Sequence, residues 1–173
     1  MIVRQLARHE LETIWTIDRS EVHHHIYQIR DGQLMLTPAY FEAHGWAPGQ
    51  VERNTPLLYA CFDRGGAFVG MFDDKLVGVA VLDSTPLGAA GDQLQLKYLY
   101  VSRAYRQQGV GTQLMQEASA IARARGAAFL YISATPTENT VNFYQRCGAI
   151  LNPTPDSELY AQEPDDIHLL CPV

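Results

Sequence analysis

Residues 94–126 read LQLKYLYVSRAYRQQGVGTQLMQEASAIARARG. The opening third, with Leu94, Leu96, Tyr98, Leu99, Tyr100 and Val101, is a near-continuous apolar and aromatic run. Such a run predicts a strand covered on both faces. Further on, Val110, Leu114, Met115, Ala118, Ile121 and Ala122 fall on one stripe of an amphipathic helix, with Gln113, Gln116, Glu117 and Arg123 opposite. Gly126 is placed to end that helix in a left-handed conformation. Between strand and helix lies Arg106-Gln107-Gln108-Gly109-Val110-Gly111-Thr112.

That loop is suited to an anion. Gly109 and Gly111 lack a Cβ, so backbone N–H groups can approach a ligand closely. The helix N-terminus adds unsatisfied N–H groups and a partial positive charge. Arg106 adds a fixed cation with donors that match phosphate. A nucleotide P-loop is excluded, because Gly111 is followed by Thr112 and Gln113 rather than Lys and Ser/Thr. The dinucleotide fingerprint is excluded too, because its third glycine is absent. Taken alone, the same residues also fit a tight strand–helix turn that holds no ligand.

The segment from Leu99 to Thr112 resembles the acetyl-CoA motif of the GNAT superfamily of N-acetyltransferases, Arg/Gln-x-x-Gly-x-Gly/Ala after a strand. A second segment agrees. Tyr131-Ile-Ser-Ala-Thr reads as a strand, and Thr137 to Gly148 resembles the family's later helix with its Phe143-Tyr144 pair and closing glycine. The resemblance covers Lys75 to Ile150 well and the first seventy residues only in outline. One position departs: the asparagine often found seven residues before the tyrosine is here Thr137, and Asn139 lies two residues further on.

At 173 residues the chain is expected to form a single GNAT domain, residues 1–173, with a real core. A composition 47% hydrophobic and 18% charged is that of a soluble globular protein. No apolar run nears the ~18 residues of a membrane helix, and no signal segment is apparent at Met1, so no membrane partner is expected. The net charge of −6 argues against nucleic acid and is compatible with cationic small substrates. Cys61, Cys147 and Cys171 show no Cys-x-x-Cys spacing, which points to a reduced, cytoplasmic setting.

Ile2 to Leu6 reads as a strand, and Glu10 to Asp18 as a helix with Leu11, Ile14 and Trp15 on one face. His23-His24-His25 is a poor metal constellation, since strand neighbours point to opposite faces, and no metal is expected. Two alternating runs around Asp31-Gly32 predict a hairpin. Pro38 to Gly49 reads as a loop, and a helix carrying Leu57, Leu58, Cys61 and Phe62 follows, capped at Thr55-Pro56 or starting earlier and bending there. Ala67–Phe72 and Lys75–Leu82 form a second hairpin, in which Gly78 marks a bulge or a close approach. Ser84 to Asp92 connects it to the central unit. Then come a strand over Phe129–Ser133, a helix over Thr137–Cys147, a strand near Ile150, an acidic loop over Pro153–Asp166 and a strand over Ile167–Cys171. That order predicts an α+β fold, a mixed, mostly antiparallel sheet with helices on both faces, as in the α/β sandwich of GNAT acyltransferases.

The resemblance implies an enzyme that moves an acetyl group from acetyl-CoA to a primary amine of a small molecule or peptide, as a monomer or homodimer. It places the cofactor on Arg106, Gln107, Gln108, Gly109, Val110, Gly111 and Thr112, with its pantetheine arm along Leu99, Tyr100 and Val101. Asn139 and Tyr144 are further contacts. The Leu99 N–H would face the acetyl oxygen, and an N–H in such a place is worth about 3–4 kcal/mol. Tyr144 matches the family's proton donor to the departing thiolate. For the general base, the glutamate of histone-directed members is here Gln95, which cannot serve. Glu21 and the histidines after it lie where family members build the acceptor cleft, and Glu21 is the candidate. Two other readings stay open: an acyl-CoA-binding regulatory module without turnover, and a metal-binding protein centred on the histidines.

Overall fold

The computed structural model describes every residue from Met1 to Val173. In chain order it contains β1 (Ile2–Gln5), a 3₁₀ helix (Arg8–Thr16), β2 (Glu21–Arg30), β3 (Gln33–Ala43), α1 (Gln50–Asp63), β4 (Ala67–Asp73), β5 (Lys75–Leu87) and β6 (Gln93–Val101). It continues with α2 (Val110–Ala124), β7 (Phe129–Ala134), α3 (Glu138–Arg146), β8 (Ile150–Leu151), α4 (Ser157–Gln162) and β9 (Ile167–Pro172).

Seven strands form one sheet in the order β1-β4-β5-β6-β7-β9-β8. All neighbours are antiparallel except β6 and β7. That parallel pairing is short. Gln93, Leu94 and Gln95 meet Phe129, Leu130 and Tyr131, and beyond Gln95 the outer edge of β6 has no partner strand. The gap that results positions the site.

Each face of the sheet carries its own core. On one face α2 and α3 pack through Val110, Leu114, Met115, Ala118 and Val141 onto Val69, Val77, Ala80 and Leu130. On the other, the 3₁₀ helix and α1 pack through Leu11, Ile14, Leu58 and Cys61 onto Phe68, Val79 and Val81. This double cover explains why β5 is buried continuously from Leu76 to Asp83. Gly78 serves both purposes read from the sequence. A Cβ there would stand 3.0 Å from Val110 and from Leu114, so α2 approaches the strand closely. The register also slips beside it, between Met71 and Phe72 on β4.

Four segments depart from the sequence reading. The first helix is 3₁₀, because Leu11, Ile14 and Ile17 are spaced by three and all are buried, a period that a 3₁₀ helix aligns. Residues 38–49 are not all loop, since β3 runs to Ala43; Pro38 is tolerated beside the register break at His23/His25. α1, by contrast, takes the earlier of the two starts that the sequence allowed, at Gln50, with Pro56 inside it. The acidic segment contains α4, because the Asp156 carboxylate accepts from the N–H groups of Glu158 and Leu159. Likewise β5 continues to Leu87 through an irregular register.

The hairpin of β2 and β3 forms separately from the main sheet. It leans on the start of α3. The Tyr27 N–H donates to Pro136 O at 2.7 Å and the Tyr27 hydroxyl to Asn142 at 2.7 Å.

Candidate functional site

The loop between β6 and α2 is a cradle of unused donors. None of the backbone N–H groups from Gln107 to Thr112 donates to any group of the chain. Gln107 and Gly109 both adopt positive φ, 60° and 82°, which turns the chain sharply into α2. Gly111 lies against Phe143, since a Cβ there would stand 3.3 Å from that ring. The donors, the turn and the start of a 15-residue helix together fit a pyrophosphate.

The free edge of β6 leads into this cradle. The Ser102 N–H donates to Val77 O on β5 at 2.8 Å. Peptide groups alternate along a strand, so those of Tyr100 also face β5, and those of Leu99 and Val101 face the gap. The Tyr100 carbonyl agrees, because it lies 3.2 Å from the Cβ position of Gly78 on β5. On the gap side, the Val101 carbonyl accepts from Arg106 Nε at 3.1 Å.

Arg106 points inward. Its guanidinium also donates to Ser20 O at 3.4 Å and to Glu21 Oε2 at 2.8 Å. The other Glu21 oxygen accepts from Asn139 Nδ2 at 2.7 Å. The anion loop, the start of β2 and the first turn of α3 are thus joined by three side chains that the sequence places far apart. Thr137 caps α3, 2% exposed, with its hydroxyl on Thr140.

Tyr144 sits on the inner face of α3, 6% exposed. No hydrogen bond holds its hydroxyl; burial, with Tyr100, Cys147 and Asp166 nearby, pushes the phenol well above its ordinary value. The three histidines disperse. His23 packs on Phe41, His24 on Tyr40, and His25 Nδ1 lies 3.0 Å from Glu138. No three His, Cys, Asp or Glu side chains come together as a metal group would.

On the opposite side of the sheet, Tyr98 and Tyr100 stack at 5.2 Å, and Trp46 meets Tyr100 edge-on at 5.2 Å. Burial, with Glu163 nearby, raises the Tyr98 phenol to about 12. Asp166 belongs to the acidic segment that the sequence marks, whereas Arg19 escaped the sequence reading. Asp166, just before β9, is partly buried, and burial together with the neighbouring Glu163 carboxylate raises it to about 8. Its only sequence signal is an acidic run without compensating Lys or Arg. Arg19 lies over both Trp46 and Tyr100, and nothing in its sequence context marks it.

The comparisons with known proteins agree with this geometry. The chain is 33% identical over 114 residues to a curated protein of Xenopus laevis described as "Probable N-acetyltransferase camello". The match covers 63% of this chain and 51% of that protein, so the chain spans about half the length of its curated relative. Its fold is that of a crystallised nourseothricin acetyltransferase, with a TM-score of 0.74, 22% identity, and 99% and 97% of the two chains covered. It is also that of the PaiA N-acetyltransferase from Thermoplasma acidophilum, solved in complex with coenzyme A, with a TM-score of 0.64, 17% identity, and 99% and 98% covered. The sequence model of the acetyltransferase (GNAT) family matches residues 10–149, and the chain belongs to that family.

Proposed function

We propose that this chain transfers an acetyl group from acetyl-CoA to a primary amine of a small molecule or peptide, by direct attack with both substrates bound. One observation carries the reading: the unpaired edge of β6 runs straight into the unused N–H groups of Gln107–Thr112. An extended, amide-bearing arm ending in a pyrophosphate fits that shape. The N–H groups of Gln107, Gln108, Gly109, Val110, Gly111 and Thr112 hold the phosphates. Leu99 and Val101 offer peptide groups to the arm, and Tyr100 fixes the strand from the β5 side.

The chain's own groups divide the remaining work. The Leu99 N–H faces the gap, where it stabilises negative charge growing on the acyl oxygen. Tyr144 supplies a proton to the departing thiolate; its free hydroxyl has no competing partner to break from. Glu21 has both oxygens engaged by Arg106 and Asn139, so it positions the anion loop. The amine's proton goes to the Glu163–Asp166 pair, whose value of about 8 at Asp166 lies close to the working range of a base near neutral pH. The three free thiols suit a reducing, cytoplasmic setting, and the whole chain acts as one domain.

Release of free thiol from acetyl-CoA, measured against a panel of polyamines, aminoglycosides, amino acids and peptides with free N-termini, tests the reading. Acceptor-dependent release supports it. Tight acetyl-CoA binding without release on any acceptor would leave the binding-module alternative in its place.

A further inference from the structure

The residue that the acetyltransferase reading leaves unused is Arg19. Its guanidinium carbon lies 4.4 Å from the ring centre of Trp46 and 4.4 Å from that of Tyr100. Those two rings stand at 85° to one another, so the guanidinium is packed in a corner of aromatic faces. No ion pair of the chain includes Arg19, although 19 acidic residues are present. No hydrogen bond holds its side chain either.

Its backbone is fixed, which is the opposite of a loose surface arginine. The Asp18 N–H donates to Ser102 Oγ at 3.1 Å, and the Arg103 N–H donates to Asp18 O at 2.9 Å. The Ser20 N–H donates to Asp18 Oδ1 at 2.9 Å. Arg19 is therefore tied to the turn that follows β6.

A second donor beside it is also unpaired. Trp46 Nε1 is buried and has no hydrogen-bond partner. Trp15, packed edge-on against Trp46 at 4.7 Å, does have one, Thr55 Oγ1 at 3.0 Å. A buried N–H left without an acceptor loses its hydration with nothing in return, so such groups are uncommon. Two neighbouring side chains thus offer donors, and the chain supplies no acceptor.

We propose that Arg19 and Trp46 bind a carboxylate carried by the acceptor, so that the preferred acceptor is an amine that also bears a carboxylate, such as an amino acid. The inference rests on the acetyltransferase reading and names the substrate class of the same site. Trp46 and Tyr100 flank the guanidinium on two sides, and its planar N–H fork matches a flat, two-oxygen anion. A dianionic phosphate fits less well in a chain of net charge −6 with Glu163 and Asp166 close to the Tyr98–Tyr100 stack. Those carboxylates suit the amine end of the same molecule. Tyr100 links the two ends, since its ring carries Arg19 and its neighbour in the chain is Leu99.

The test compares kcat/KM for an amino acid and its carboxamide, in the wild type and in Arg19→Met. Dividing the acid-to-amide ratio of one enzyme by that of the other cancels the difference in amine basicity. Activity in Arg19→Met should fall at least tenfold more on the acid than on the carboxamide. Trp46→Phe keeps the aromatic packing and removes the indole N–H, and it should show the same bias at a few-fold. It also serves if Arg19→Met folds poorly. Titrating Trp fluorescence with an N-acetylated amino acid and with its amide reads the pocket without turnover. Equal acid-to-amide ratios, or equal ligand affinities, in wild type and both variants overturn the carboxylate site while leaving acetyl transfer intact. Failure of every amine to release thiol removes the acetyltransferase reading, and the fluorescence titration then decides the carboxylate site alone.

Discussion

Glu21 and Arg106 are 85 residues apart in sequence and 2.8 Å apart in the fold. Their ion pair, about a quarter exposed on each side, ties the hairpin to the loop that opens α2. Arg106→Met frees Val101 O, Ser20 O and Glu21 together, so the loop loses its tether. Acetyl-CoA affinity should fall at least tenfold, about 1.4 kcal/mol, in calorimetry. Glu21→Gln still offers an oxygen to Arg106 or Asn139, and kcat should stay within about tenfold of wild type. A kcat loss of roughly 10²–10⁴-fold in Glu21→Gln would instead make Glu21 the base.

Gly109 combines a φ of 82° with open space around its Cβ position. Gly109→Ala therefore meets no clash and bears only backbone strain, of order 1–3 kcal/mol. Gly109→Asp adds a negative charge among the unused N–H groups. Its acetyl-CoA affinity should drop at least tenfold relative to Gly109→Ala, while both variants melt at similar temperatures. Equal affinities in the two variants would move the pyrophosphate elsewhere.

Tyr144→Phe removes a hydroxyl that has no partner in the chain. No buried group is left unsatisfied, so thermal stability should be nearly unchanged. The loss should appear in kcat, by roughly 10²–10⁴-fold, with acetyl-CoA affinity within a few-fold. A shift in Tm with kcat preserved would reduce Tyr144 to a core residue.

Asp166 gives a signed pH prediction. Its carboxyl is raised to about 8 in the fold, from an ordinary value of about 4, so the native state favours the protonated form. The stability this contributes is complete below pH ~4 and is lost progressively as pH rises through ~8. Asp166→Asn should therefore raise Tm at pH 8, by the equivalent of about 1–2 kcal/mol once partial exposure is allowed for. Variant and wild type should converge near pH 4. The same variant should lose kcat/KM at pH 8, because it removes the proposed proton acceptor. A stability difference independent of pH would show that Asp166 keeps its ordinary value in the fold.

The sequence by itself determined the features that are local. The β6–loop–α2 unit follows from its apolar run, its glycine pair and its helical stripe, all within 33 consecutive residues. The two hairpins follow equally, and at the first turn Asp31 and Gly32 adopt the positive φ that a tight Asp-Gly turn requires. Tyr144 is a candidate from sequence alone because its helix carries a family pattern. Tertiary structure alone decided the rest. The gap in the sheet depends on where β6 and β7 part, and no residue in either strand encodes that point. The 3₁₀ geometry of residues 8–16 depends on which face of the sheet receives Leu11, Ile14 and Ile17. Asp166 acquires its value only because the fold buries it beside Glu163, and Arg19 lacks a partner only because Trp46 and Tyr100 close around it. Local conformation is set by neighbours in the chain, whereas burial, charge pairing and donor balance are set by residues that folding brings together.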